Sequence, residues 1–439
     1  MEQRRLSRRA LLAGLGSAVA ATAGCAAPAD SERTTAAPSG AATTREESTG
    51  DPATETTSQP DISLSGEAAW ATYGYDPGHS GYNPDAAGPA DDPSVVWNSD
   101  VSGIYTLREP AVADGRVFVG SNRYTWAFDA ESGEQRWRRD LGGMTHHFAP
   151  THHDDTLYAV AKEASGVNSG APGSVRALDP ADGGQRWSTA VPATSTVALG
   201  DDRLYVAGQT EADTGFVQVL APDSGERGWR FDVPDAPGSY VTGAPTAVDG
   251  TVYVAATRVA SDGSTAGTLY ALDTETGDVD WTFDTDGSLP VAPVVADGRV
   301  HLASRDGTVY ALTPDGGTAW TRTVEHRIYT RPTYGDGRLF VLTAADIVAF
   351  DADGEQEWRA ANDRTQMSGM ALADGTLYVG GEPLFALDAA SGDVVFDLPV
   401  GVYHGAYGAP VVVDDVMYAG VCIKEEPGAP YDNSVRAYV

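Results

Sequence analysis

A short unit that recurs along most of the chain constrains the fold more than any other feature. It opens with small apolar residues, passes through Asp-Gly and continues as an alternating apolar stretch. The full copies are Ala111-Val-Ala-Asp-Gly-Arg-Val-Phe-Val119, Thr246-Ala-Val-Asp-Gly-Thr-Val-Tyr-Val254, Val294-Val-Ala-Asp-Gly-Arg-Val-His-Leu302, Thr333-Tyr-Gly-Asp-Gly-Arg-Leu-Phe-Val341 and Ala371-Leu-Ala-Asp-Gly-Thr-Leu-Tyr-Val379. Three further copies carry Asp-Asp in the turn, at Asp154-Asp155, Asp201-Asp202 and Asp414-Asp415. Period-two alternation around Asp-Gly marks two antiparallel strands joined by a tight turn, because both central residues of that turn need positive φ. Eight copies predict eight such hairpins.

A second hairpin follows each copy and ends in an aromatic residue, at Trp137, Trp187, Trp229, Trp281, Trp320, Trp358 and Phe396. The eighth copy stops before its last turn, whereas Val95-Val96-Trp97 stands ahead of the first copy with no hairpin of its own. From Trp97 to Phe396 the step averages about 43 residues, one four-stranded blade. The expected fold is all-β: an eight-bladed β-propeller of four-stranded antiparallel blades, closed by pairing an N-terminal strand, residues 95–100, with the C-terminal strands. Closure of this kind leaves no sheet edge open to another chain.

The pattern Ala-x-Asp-x-x-Thr-Gly-x-x-x-Trp is complete at Ala271 to Trp281, and nearly so at Ala127 to Trp137, where Ser132 replaces Thr. It resembles the tryptophan-docking repeat of the pyrroloquinoline-quinone (PQQ)-type β-propeller superfamily. The resemblance implies that Trp97, Trp137, Trp187, Trp229, Trp281, Trp320 and Trp358 pack blade against blade and are not ligands. The stretch Trp70-Ala-Thr-Tyr73-Gly74-Tyr-Asp76-Pro-Gly-His-Ser80-Gly-Tyr82-Asn-Pro84 also looks like the segment ahead of the first blade in quinoprotein dehydrogenases and their non-catalytic relatives. It should lie against the propeller and seal it.

The N-terminus reads as a targeting signal. Arg4, Arg5, Arg8 and Arg9 precede an apolar run from Ala10 to Ala23, which is too short for the roughly 20 residues of a membrane-spanning helix. Ser7-Arg8-Arg9-Ala10-Leu11-Leu12 resembles a twin-arginine export signal, and Thr22-Ala23-Gly24-Cys25 resembles a lipobox with Thr22 where Leu is usual. The expected organisation is a signal peptide over 1–24, lipid attachment at Cys25, a disordered Thr/Ser/Pro/Ala-rich tether over 25–66, and the propeller over 67–439. Export by the twin-arginine route would leave the protein on the outer face of the cytoplasmic membrane, held by its N-terminal lipid.

Charge narrows the partners. The 29 Lys and Arg face 62 Asp and Glu, a net charge of −33, and only Lys162 and Lys424 are lysines. Such a chain repels nucleic acid, whose binding depends on clustered cations. The acidic residues are spread along the whole sequence, which reads as a solvated surface suited to high salt. Two cysteines exclude a disulfide scaffold and any Cys-rich metal site.

In a four-stranded blade the second-to-third loops and the links between blades emerge on one face. The long insertions Ala164 to Ser174, Ser261 to Gly267 and Glu425 to Asn433 fall there, so that face is the candidate binding face. The links also feed the central funnel, and the candidate binding residues are Arg108, Glu109, His147, Tyr240, Tyr329, Arg331, Tyr403, His404 and Tyr407. No metal site is expected, since the adjacent His152 and His153 point to opposite faces of a strand. These features describe a monomeric, non-enzymatic surface lipoprotein that binds a protein or small ligand on its loop face, with no catalytic residue assigned. The resemblance adds an alternative, a quinoprotein dehydrogenase using PQQ and calcium. That branch carries an adjacent Cys-Cys pair and a Glu, Asn and Asp set, and this sequence lacks the pair and does not place the set. A sensor ectodomain is a third reading. Because the excess of like charge is screened by a Debye length of about 3 Å at 1 M salt, the melting temperature should rise steeply between dilute buffer and molar salt. A flat midpoint in scanning calorimetry would refute the salt-adapted surface.

Overall fold

The computed structural model describes residues 62–439 apart from 66–68, 91–92, 102–106, 146–147, 164–169, 235–237, 362–364, 399–407 and 424–431. Eight antiparallel sheets follow one another around an axis. Seven run outward from a three-residue inner strand, as in blade 1, with Ala111–Ala113, Arg116–Ser121, Tyr124–Asp129 and Gln135–Asp140, and blade 7 begins with the longer Thr365–Ala373. The Asp-Gly units are the inner hairpins. Asp114 and Gly115 take φ of 50° and 66°, the pair of positive values that matches the turn to the right-handed twist of its strands.

Blade 8 joins the two ends of the repeat. Val95–Asp100 pairs antiparallel with Asp432–Tyr438, with Trp97 opposite Ala437, and Ser94 and Val439 exchange backbone hydrogen bonds. The outermost strand of the last blade thus comes from ahead of the first, as the repeat count predicts.

Seven of the eight blades are keyed to the next by one contact. The indole nitrogens of Trp97, Trp137, Trp187, Trp229, Trp281, Trp320 and Trp358 donate to the carbonyls of Ala130, Pro180, Pro222, Thr274, Pro314, Ala352 and Ala389, at 2.7 to 3.0 Å. Each acceptor lies in the outer turn of the following blade, where a glycine faces the ring. A Cβ on Gly277, for example, would lie 2.6 Å from Trp229, and Gly277 also has φ of 75°. Within each blade the aromatic leans on a ring from the second strand, as Trp229 does on Tyr205 at 6.0 Å and Trp97 on Tyr418 at 5.8 Å. Phe396 takes this place in blade 7, against Tyr378 at 6.2 Å. Its neighbour, blade 8, is closed by the incoming strand and has no outer turn to offer a carbonyl, so a ring without an N–H fits there.

Three features differ from the sequence reading. Ile62 is buried against the propeller, and the Ser65 backbone N–H donates to Asp414 at 2.6 Å, so residues 62–65 pack on blades instead of belonging to the tether. The Ser261 to Gly267 insertion is partly strand, since Thr251–Val259 and Thr265–Asp273 extend past their neighbours and leave only a short tip. Tyr82–Asn83 adds a parallel strand beside Leu372 and Ala373 of blade 7.

Two variants test the key between blades. Trp229→Phe removes only the N–H and should cost about 1 kcal/mol. Gly277→Ala adds a methyl against the ring at positive φ and should cost about 2 to 4 kcal/mol. Urea unfolding should also show that Gly277→Ala costs less in a Trp229→Ala background, and strict additivity would refute the contact.

Candidate functional site

The innermost strands are short and leave a channel, and the segment from Trp70 to Gly88 closes one end of it. Their inward backbone groups would otherwise lack partners. Trp70 pairs with Val112 in both directions, and N–H groups of His152, Val295, Tyr334 and Leu372 donate to carbonyls of Ala71, Gly78, Ser80 and Gly81. Ala87 and Gly88 finish on the Asp414 carbonyl. One segment therefore satisfies blades 1, 2, 5, 6, 7 and 8 in turn.

A buried charge pair locks this plug. The Glu109 carboxylate accepts from Trp70 Nε1 at 2.8 Å and from the Gly74 N–H at 2.7 Å. Arg331 donates from Nη1 to the His79 carbonyl, holds Nη2 at 3.9 Å from Glu109 and lies 5.1 Å over the Tyr73 ring. Burial pushes the Glu109 carboxyl above its ordinary value, opposed by Arg331 and by the two hydrogen bonds. His79 sits behind them against Thr246 at 3.0 Å. Burial, reinforced by Arg331, pushes its imidazole down to about 3, so it is neutral at neutral pH.

Above this floor lies a blind funnel of about 530 Å³, walled by residues from seven of the links between blades and from the inner strand of blade 7. Threonine hydroxyls staple one link to the next: Thr194 donates to the Val241 carbonyl at 2.5 Å and Thr242 to the Pro290 carbonyl at 2.9 Å. Between the staples the wall is small and apolar, with Ala149, Ala244, Val291 and Ala409 among its residues.

The charged groups in the funnel are mostly cationic. Arg108 is surrounded by protein, which lowers its affinity for its proton, yet its side chain remains open to the funnel. Arg305 lies 4.9 Å over the ring of Tyr329, which is 47% exposed at the mouth. Hydrogen bonds from Arg327 and Arg305 hold the Tyr329 phenol below its ordinary value.

Arg108, Glu109, Tyr329 and Arg331 thus meet around one cavity. Tyr240 does not line it: with Ser239 it forms a short strand beside Thr257 and Arg258 of blade 4. His326 turns outward to Asp346 at 3.3 Å. Cys25, His147, Tyr403, His404 and Tyr407 lie outside the described residues. His152 stacks on Phe118, while His153 lies 3.4 Å from Asp154. The sequence reading overlooked Tyr73 and Arg305. Arg305 was within reach of it, because the second-to-third turn of blade 5 opens on the same face as the links.

The repeat matches a family model described as outer membrane protein assembly factor BamB, over residues 86–169, 171–293, 287–361 and 343–438. The chain belongs to this family of PQQ-like propellers. BamB of Yersinia pestis is 27% identical over 334 residues, covering 62% of this chain and 79% of that protein. The serine/threonine-protein kinase AfsK of Streptomyces coelicolor is 30% identical over 205 residues, covering 44% of this chain and 22% of the kinase. Among solved structures, the quinohemoprotein alcohol dehydrogenase of Comamonas testosteroni superposes with a TM-score of 0.69 at 15% identity, covering 84% of this chain and 80% of the enzyme. BamB of Moraxella catarrhalis superposes with a TM-score of 0.56 at 18% identity, covering 78% and 97%. At these identities the two structures speak for the fold alone.

Truncating one member of the buried pair leaves the other charge without compensation. Glu109→Ala and Arg331→Ala should each cost about 3 to 5 kcal/mol in chemical unfolding. The double variant should cost less than their sum by more than about 1 kcal/mol, and additive losses would show that the two charges act independently.

Proposed function

We propose that this protein is a non-catalytic scaffold, tethered by lipid at Cys25 to the outer face of the cytoplasmic membrane, whose loop face holds a protein partner. The observation that carries the reading is the family match over nearly the whole propeller, with relatives named as assembly factors. The N-terminal signal supports export and anchoring, and the −33 net charge supports a salt-rich exterior. The outer-membrane role in the relatives' name is not transferred, since the proposed anchor is to the cytoplasmic membrane.

The funnel chemistry favours a scaffold over a quinoprotein dehydrogenase. Calcium takes six to eight oxygen ligands, whereas Glu109 is the one carboxylate lining the funnel among the described residues, and Trp70, Gly74 and Arg331 already engage it. The only cysteines are Cys25 and Cys422, so no adjacent pair can lie over a quinone. The described residues do not fit PQQ with calcium.

The test places a photo-crosslinking residue at Asp262, on the tip of the blade 4 hairpin, or at Asp374, on the opposite face, in cells making the full chain. Adducts should form from Asp262 and not from Asp374, and Cys25→Ser should move the protein from the membrane fraction to the medium. Equal labelling from both faces would overturn the binding-face assignment. Dye reduction with alcohols after loading with PQQ and calcium would overturn the non-catalytic reading.

A further inference from the structure

The funnel reverses the charge of the molecule that contains it. On a chain of net charge −33, its lining carries Arg108, Arg305 and Arg331 against Glu109 alone among the described residues. Arg331 and Glu109 largely answer each other, but Arg108 and Arg305 have no carboxylate partner among the described residues. Unpaired guanidinium groups inside a concave wall concentrate field in the cavity, where the surrounding protein screens them less than bulk water would.

A second observation is independent of net charge. Arg331 is more than nine-tenths buried, and its Nε has no hydrogen-bond partner among the described residues. The adjacent Thr330 hydroxyl oxygen is likewise buried without one. Buried donors are nearly always satisfied, so these two neighbouring residues of the lining leave hydrogen-bonding capacity unused beside the cavity. The volume, about 530 Å³, lies in the range of small-molecule sites.

We propose that the funnel is a binding site for a small organic oxyanion, a carboxylate or a phosphate ester. Arg108 and Arg305 meet its charge, and the small apolar residues of the wall hold its carbon body. Guanidinium groups suit this class because their paired N–H donors match the two oxygens of a carboxylate or phosphate. The inference builds on the assignment of this face as the binding face, but the site is separate from the rim that would hold a protein. Partner capture can fail while anion binding stands, and the reverse.

Isothermal titration of the full chain with citrate, and separately with inorganic phosphate, at an ionic strength held constant with sodium chloride, tests it. Citrate should bind saturably at one site, at least tenfold more weakly in Arg108→Ala and in Arg305→Ala. Arg136→Ala, on the outer strand of blade 1 and paired with Asp129, should change nothing. Comparing the two arms tells carboxylate from phosphate preference. In the unaltered protein, where folding of a variant is not in question, citrate should shield Arg108 and Arg305 from phenylglyoxal while leaving Arg136 reactive, as read by peptide mass. Absence of saturable binding by both anions, an affinity indifferent to Arg108 and Arg305, or equal labelling with and without citrate would each overturn the proposal.

Discussion

The indole N–H bond that seven of the eight blades make to the next is the contact on which the ring depends. A sheet of four short strands has little apolar surface of its own and must share it with neighbours on both sides, so the angle between blades has to be fixed somewhere. Here the carbonyl of an outer turn sets the distance, and the glycine in that turn lets the ring lie flat against backbone. The aromatic from the second strand backs the ring from behind. Repeated around the axis, this fixes the width of the channel, and hence how far each link between blades reaches toward the centre.

The channel creates a second demand. Eight inner strands present backbone groups toward a space too narrow for another sheet, and the Trp70 to Gly88 segment meets them by touching six blades in succession. Holding that segment requires a polar lock, because its own turns expose N–H groups and carbonyls to the interior. Glu109 and Arg331 supply it, each contributed by a link that already points at the axis. The buried pair adds little net stability after desolvation, but it selects one seating for the plug among the several that apolar contacts alone would allow. The same geometry makes the funnel blind. Its floor is neutralised by this lock, while its wall and mouth keep Arg108 and Arg305 without a carboxylate partner among the described residues.

The propeller was readable from the sequence because its determinants are local and repeated. Asp-Gly turns, two-residue alternation and the aromatic at the end of each fourth strand act over a few residues, and eight copies make the count secure. Val95-Val96-Trp97 revealed the closure for the same reason, as a strand with no hairpin of its own. Phe396 shows how far this reaches: its departure from Trp is explained by what the neighbouring blade lacks. Tertiary structure alone decided which polar residues converge. Tyr240 and Tyr329 both lie in links, yet the first is drawn into an extra strand on blade 4 and the second faces the funnel. His326 and Arg331 are five residues apart, and the first turns to Asp346 while the second reaches Glu109. The direction of a link residue depends on its distance from the axis and on which backbone groups nearby still need partners, and neither quantity is written in its own sequence neighbourhood. The repeat determined that there would be a funnel, and packing across blades far apart in the chain decided its charge.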